Sequence, residues 1–458
     1  MDSLIFWIPV GLYACLLLGV LYYFRAVASE EEYFLARRKV GGNQSFISVV
    51  ATETSVATIV LFPAAGFASG LSLIWLCAGY VLGRWLVAAL YLRKVYERHK
   101  LSLYHTLAGE SALSRRTLSG FYLLAKFISS GVRFYMAGFA LEQLFGWSVI
   151  GWIFVTALVV GLYSLAGGLR AVVLTDQIQA GVIIGMGLAL CGVLFMDAGK
   201  GVIPAPELIR AEFSYDNSLY FLALLIGGTV LSIGTHGADQ DTLQRIFATS
   251  DVSAARRALV LSAFGATLVI VLYLIVGHLL KYAYAGQLNE RSPLVDYISR
   301  ADSPFFIGCF AVLLFAAAMS TLDSAIHATG AVWKDLLESN SSGRWFSFLS
   351  LGLLVVFGLL FMVLDRMQRG DFLALAMGSS NYVNGGLIGI FTVYTFVPRY
   401  LKSAGVVLAL CGGFLITVAC NFWITPAVAW SWVIVLSSAG AFVLCVAGGA
   451  VQARLNHG

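Results

Sequence analysis

Residues 48–66 read SVVATETSVATIVLFPAAG. Glu53 lies among Thr52, Thr54, Ser55 and Thr58, with Pro63 and Gly66 beyond, in an otherwise apolar stretch. Inside a bilayer every backbone N–H and C=O needs an internal partner, so a broken helix survives only where its open groups line a cavity or hold something. Pro and Gly free carbonyls, hydroxyls add oxygen ligands, and an acid at this depth is a functional signal by default. The stretch reads as an interrupted membrane helix with a binding role. The plainer alternative, a proline kink with back-bonded hydroxyls, leaves Glu53 unexplained.

Composition sets the surroundings. Of 458 residues, 59% are hydrophobic and 12% charged, against roughly a quarter charged in soluble domains. Such a chain cannot cover itself with a water-soluble surface, which excludes disorder, coiled coil and nucleic-acid binding. An all-α integral membrane protein remains, with the lipid bilayer as its surroundings and no obligatory protein partner evident. Apolar runs long enough to cross as helices number about thirteen: 3–25, 44–68, 71–96, 117–145, 148–166, 170–197, 217–237, 256–284, 304–333, 345–365, 371–397, 402–424 and 428–450. The first lacks a small-residue cleavage site and is expected to span rather than be removed. Residues 1–458 are therefore expected to form one membrane domain.

Lys and Arg orient it. With the N-terminus outside, the inward stretches hold Arg25, Arg37, Arg38, Lys39, Arg93, Lys94, Arg98, Lys100, Arg115, Arg116, Arg170, Arg245, Arg256, Arg257, Lys334, Arg344, Arg399, Lys402 and Arg454. The outward ones hold only Lys200, Arg210, Lys281, Arg291, Arg300, Arg366 and Arg369. N-outside and C-inside is the expectation, in a plasma (bacterial inner) membrane. Arg84, Lys126 and Arg133 fall inside spans and should face protein or water, although Lys126 has a stem long enough to snorkel. The seven cysteines all sit in apolar runs without metal-ligand spacing, and read as small buried hydrophobes.

Three other segments carry polar groups at membrane depth. GGTVLSIGTHGADQD, residues 227–241, sets Gly227, Gly228, Gly234 and Gly237 around Thr235 and His236. Two interrupted helices in corresponding halves mark a transporter site at an inverted-repeat interface, here with halves 44–197 and 217–397 and peripheral helices in 1–43 and 398–458. FAAAMSTLDSAIHATG, residues 315–330, aligns Ala317, Ser320, Thr321 and Ser324 on one helical face, bordered by Asp323 and His327. Hydroxyls and a carboxylate beside close backbone suit a hard cation; a small-residue packing seam is the alternative, and His327 has the chemistry to relay a proton. In GGLRAVVLTDQIQAG, residues 167–181, Asp176 and Gln179 share a face.

GGLRAVVLTDQIQ resembles the pattern of the sodium/solute symporters, the family of sodium-coupled sugar, proline, pantothenate and sialic acid transporters. EEYFLARRKVGG, GRWLVAALYL, SGVRFYMAGFAL, ADQDTLQRIFATSDVSAARRA, AAAMSTLDS and YVNGGLIGIF agree with it in order. The resemblance implies a LeuT-type five-plus-five inverted repeat, alternating access, Na+ as coupling ion and no other cofactor. It implies a sodium site from Ala51, Thr54, Ala317, Ser320 and Thr321, and in some members a second from positions matching Asp176, Asp323 and Ser324. Glu53 matches an acid of the proline transporters. The family's solute pocket nominates Glu53, Ser55, Thr58, Arg84, Arg133, Thr235, His236 and Asn384. The arginine that holds the carboxylate in sialic acid transporters aligns near Ser129, which counts against sialic acid.

The expected function is sodium-coupled symport of a small polar organic solute, whether sugar, polyol, amino acid or carboxylate, into the cell. A proton-coupled carrier is the first alternative, because Glu53, Asp323, His236 and His327 can titrate. A transporter-like sensor is the second, although no signalling module is expected after VQARLNHG. No nucleophile elbow or zincin motif supports an enzyme.

Overall fold

The computed structural model describes residues 4–24, 29–98, 101–109, 111–198, 205–206, 213–367 and 372–455, with 367 and 372–381 as backbone alone. Arg25, Lys100, Lys200, Arg210 and Arg369, used above for orientation, lie outside the described residues.

The helices are α1 Leu4–Phe24, α2 Gly42–Glu53, α3 Val56–Ser69, α4 Ile74–Arg98, α5 Ala112–Phe145, α6 Val149–Asp197 and α7 Phe221–Gly237. They continue as α8 Gln240–Phe247, α9 Val252–Tyr284, α10 Pro304–Leu337, α11 Gly343–Met367, α12 Phe372–Phe396, α13 Ser403–Val418 and α14 Trp430–Leu455. Large apolar side chains such as Leu12, Leu158, Leu268, Leu360 and Val443 point outward, the inverse of a soluble surface and suited to lipid. α10 forms the centre: every residue from Ala316 to Val332 is buried, all round the helix. It packs against α1, α2, α5, α6 and α11.

Between helices in lipid, close backbone approach replaces the hydrophobic drive. At Gly66 and Gly277, α3 and α9 meet so tightly that an added Cβ would stand 2.1 Å from the Leu274 carbonyl oxygen and 2.0 Å from that of Pro63.

Thirteen crossings are not confirmed. Among the described residues eight helices are long and apolar enough to cross a membrane, or ten if each of two bent pairs is one span. The runs 148–166 and 170–197 both lie in α6, a 49-residue segment in which two helices meet at a kink at Gly168, where φ is +61°. Counted as one helix among the eight, it is long enough for two crossings, about 74 Å at roughly 1.5 Å per residue. Run 117–145 lies in α5, whose apolar character is diluted by Arg115, Arg116, Lys126 and Arg133, and run 371–397 falls partly where side chains are undescribed.

The bent pairs are the two expected interruptions: α2 and α3 meet at 65°, α7 and α8 at 57°. The first break does not sit at the proline, whereas the second falls at the end of the glycine cluster. Pro63 lies inside α3, and the first break is at Thr54–Ser55, where consecutive polar residues offer local hydrogen bonds in place of the helical ladder. Gly227 packs on the Ser431 carbonyl and Gly228 on that of Leu76, so these two serve packing, and the second break follows Gly237.

Candidate functional site

Both breaks open on one cavity of about 470 Å³. Glu53, Thr54, Ser55, Thr58, Arg133, Thr235, Thr321 and Asn384 line it, with Thr52, Lys126, Asp239 and Asp241. Ser69, Tyr80, Tyr122, Ser129, Ser218 and Thr242 add polar lining, and Leu61, Phe62, Leu73, Leu76, Ile270 and Trp430 form an apolar stretch of wall.

The first break leaves neutral oxygens beside α10. Thr54 N–H bonds to the Ala51 carbonyl at 3.0 Å, tightening the last turn of α2, and Ser55 N–H finds Thr58 Oγ1 at 3.2 Å. The Thr54 carbonyl oxygen is 3.4 Å from Ser320 Oγ, and Thr321 Oγ1 donates to the Thr52 carbonyl at 3.1 Å. The Ala317 carbonyl lies 3.2 Å from Ser320 Oγ and 3.4 Å from Thr321 Oγ1. Backbone and hydroxyl oxygens from two helices thus converge, without a formal charge of their own. Oxygen donors of this kind suit a hard monovalent cation, and rotation of the two hydroxyl protons would free their lone pairs. Ala51 lies in the last turn of α2, and the Thr52 carbonyl is an oxygen outside the expected set Ala51, Thr54, Ala317, Ser320 and Thr321.

Charged groups around the cavity are almost all paired. The Glu53 carboxylate bonds Arg84 on one side and His236 Nε2, at 2.9 Å, on the other. Arg84 and His236 are fully buried behind it; Arg84 also donates to Ser262 Oγ at 3.2 Å, and His236 Nδ1 is 2.8 Å from the Ser232 carbonyl. Both therefore anchor Glu53 and are not themselves cavity lining. Lys126 bridges Asp239 at 3.1 Å and Asp241 at 2.6 Å, so it is an internal tie across the second break and does not snorkel. Asp239 also caps α8, accepting Asp241 N–H at 3.0 Å. Thr235 donates back to the Leu231 carbonyl at 3.0 Å.

Asp176, Asp323 and Ser324 do come together, with a guanidinium among them. Fully buried Arg245 donates to Asp176 Oδ2 from Nε and Nη2 at 3.2 and 3.0 Å, bonds Ser324 Oγ, and stands 3.9 Å from Asp323 and 3.5 Å from Asp241. Ser48 donates to Asp176, and Tyr163 hydroxyl to Asp323 at 2.5 Å. By charge count alone Arg245 reads as one of the bases of an inward stretch. The signal was present in Asp241 and Arg245, four apart just past the second break. His327 lies away from the cavity: its Nε2 bonds the Ser164 carbonyl at 3.1 Å and its ring lies 4.9 Å from that of Tyr33.

The sequence model of the sodium:solute symporter family matches residues 33–400. Sodium-coupled monocarboxylate transporter 2 of Danio rerio is 26% identical over 432 residues, covering 87% of this chain and 67% of that protein. The human sodium/iodide cotransporter is 24% identical over 422 residues, covering 86% and 65%; the chain thus spans about two thirds of the length of these relatives. Among solved structures, a sodium-coupled sialic acid symporter, substrate-bound and outward-open, superposes with a TM-score of 0.85 over 98% of both chains at 19% identity. A nucleobase-cation-symport-1 family transporter in a closed conformation gives 0.65 over 94% and 96% at 12% identity. These two share the LeuT-type fold. The family and its relatives are membrane transporters rather than enzymes, with sodium as coupling ion. On the match across 33–400, the chain belongs to the sodium:solute symporter family.

Proposed function

We propose that this chain carries a small organic solute into the cell by sodium-coupled symport, with one sodium held where α2 breaks against α10. The observation that carries this is the convergence of the Thr54 and Ala317 carbonyls with Ser320 and Thr321 hydroxyls, beside a cavity lined by Thr321 and Thr54 themselves. Ala51 and Thr52 complete the candidate ligand set. Sodium there ties the first break to α10; solute binds next to it, with Glu53, Ser55, Thr58, Thr235 and Asn384 as wall and Arg84 and His236 as support. The halves 44–197 and 217–397 then rock about the site, within a plasma membrane, N-terminus outside and C-terminus inside. Coupling works only if the outward state binds sodium better than the inward one.

Asp176, Asp323 and Ser324 are assigned to structure, because Arg245 already supplies a positive charge among them. One sodium entering with a neutral solute across 100 mV and a tenfold gradient yields about 3.7 kcal/mol, enough for several-hundred-fold accumulation; an anionic solute cancels the charge and leaves about 1.4 kcal/mol, or tenfold. A proton-coupled carrier is the rival, and Glu53 bonded to His236 on the cavity wall is what favours it.

Thermal unfolding of the purified protein, in sodium and in potassium and at several pH values, separates the two. A ligand that binds the folded state raises Tm by mass action. The proposal expects a sodium-specific rise that persists across pH 6–8 (a range chosen about the histidine region, roughly 6.5). A solute response equal in both salts and dependent on pH would transfer the coupling to protons.

A further inference from the structure

Three cations stand at or behind the cavity walls, and they are not equivalent. Arg84 is held by Glu53, and Lys126 by Asp239 and Asp241. Arg133, seven residues after Lys126 on the same face of α5, lines the cavity and makes no hydrogen bond or ion pair with any described residue. The nearest acids cannot serve it fully, since Asp239 and Asp241 are taken up by Lys126, and Asp241 also stands 3.5 Å from Arg245. A guanidinium at membrane depth is costly to leave without a partner. Its planar fork fits a carboxylate with two parallel hydrogen bonds.

The acids of the cavity point to the same class by exclusion. Glu53, Asp239 and Asp241 each have a protein cation as partner, which leaves no unpaired acid to receive an ammonium group. An amino acid zwitterion would lack a partner for its amine. A neutral sugar would leave the Arg133 guanidinium without an ion partner, and the stretch of Leu61, Phe62, Leu76, Ile270 and Trp430 is where an alkyl or aryl tail gains from leaving water.

Resting on the symport reading above, we propose that the solute is a small organic monocarboxylate with an apolar tail, its carboxylate held by Arg133 and its tail against the apolar wall. Arg133 is then the specificity-determining residue, and the sodium site and the anion site are separate parts of one cavity.

The test is a Tm series on the full-length protein in sodium or potassium chloride. The probes are butyrate and benzoate, their neutral amides, butylammonium, γ-aminobutyrate, glucose and iodide. The proposal expects butyrate or benzoate to raise Tm in sodium alone, with the amides, butylammonium, glucose and iodide inert. Arg133→Gln should weaken the carboxylate response by on the order of thirtyfold, while the shift from sodium alone is retained. Arg133→Lys, which keeps charge and loses the fork, should fall between and serves if the glutamine variant folds poorly. A sodium-dependent response to glucose or an amide that survives Arg133→Gln would overturn the solute class and leave symport standing. A response to iodide alone would replace the organic acid by an inorganic anion. Absence of any sodium effect, with or without solute, would remove the symport reading itself.

Discussion

Where α2 gives way to α3, the chain leaves neutral oxygens facing α10, and where α7 gives way to α8 it fills the gap with charge. At the first break the contacts are carbonyls and hydroxyls, at 3.1–3.4 Å between Thr52, Thr54, Ser320 and Thr321. At the second, Asp239 caps α8 while Lys126 and Arg245 tie Asp239, Asp241, Asp176 and Ser324 together. Neutral dipoles can exchange one another for an ion at modest cost, whereas paired buried charges are expensive to separate. On the proposed reading, two breaks of similar bend serve different ends, one as a loading point for a cation and one as a fixed joint.

The largest test of that contrast is Arg245→Gln. It leaves buried Asp176 and Asp323 without their guanidinium and should cost about 3–5 kcal/mol, read as a large fall in Tm or in folded yield. A variant with wild-type Tm and a second bound sodium would show that these acids form an ion site after all. The smallest test uses the cap that starts α9, outside the membrane, where Asp251 accepts the Ser253 and Ala254 N–H groups at 2.9 Å each. The Ala254 N–H, then the Ser250 hydroxyl, hold its carboxyl below the usual range. A group depressed in this way stabilises the fold above the ordinary Asp value of about 3.9, and that contribution is lost as pH falls through the lower folded value. Asp251→Asn should flatten the acid limb of the Tm–pH curve slightly. An unchanged limb would mean the exposed cap adds nothing, in contrast to the half-buried cap at Asp239.

Much of this was legible in the chain. Hydropathy and charge defined a membrane bundle, and the polar run 52–58 marked residues 48–66 as an interrupted helix, because hydroxyls and an acid at that depth have few other uses, while the position of the break short of Pro63 was not legible. The face Ala317, Ser320 and Thr321 followed from helical period alone. Glycine was the weaker guide, since Gly227 and Gly228 act in helix contacts and only the polar step after Gly237 breaks α7. Pairing was not legible. Arg84 read as a free pocket base and Arg245 as a loop base, because which acid neutralises which cation depends on contacts 31 and 69 residues apart in sequence. Arg133 reads from the sequence as one pocket base among several, and only the contacts set it apart as lying outside that pairing.

The central claim is that sodium binds at the first break, and equilibrium binding of radioactive sodium to the purified protein tests it most directly. Saturable binding at one site per chain is expected, weakened by on the order of tenfold or more in Ser320→Ala and in Thr321→Ala, with folding intact by Tm. Wild-type sodium affinity in both variants would contradict the account.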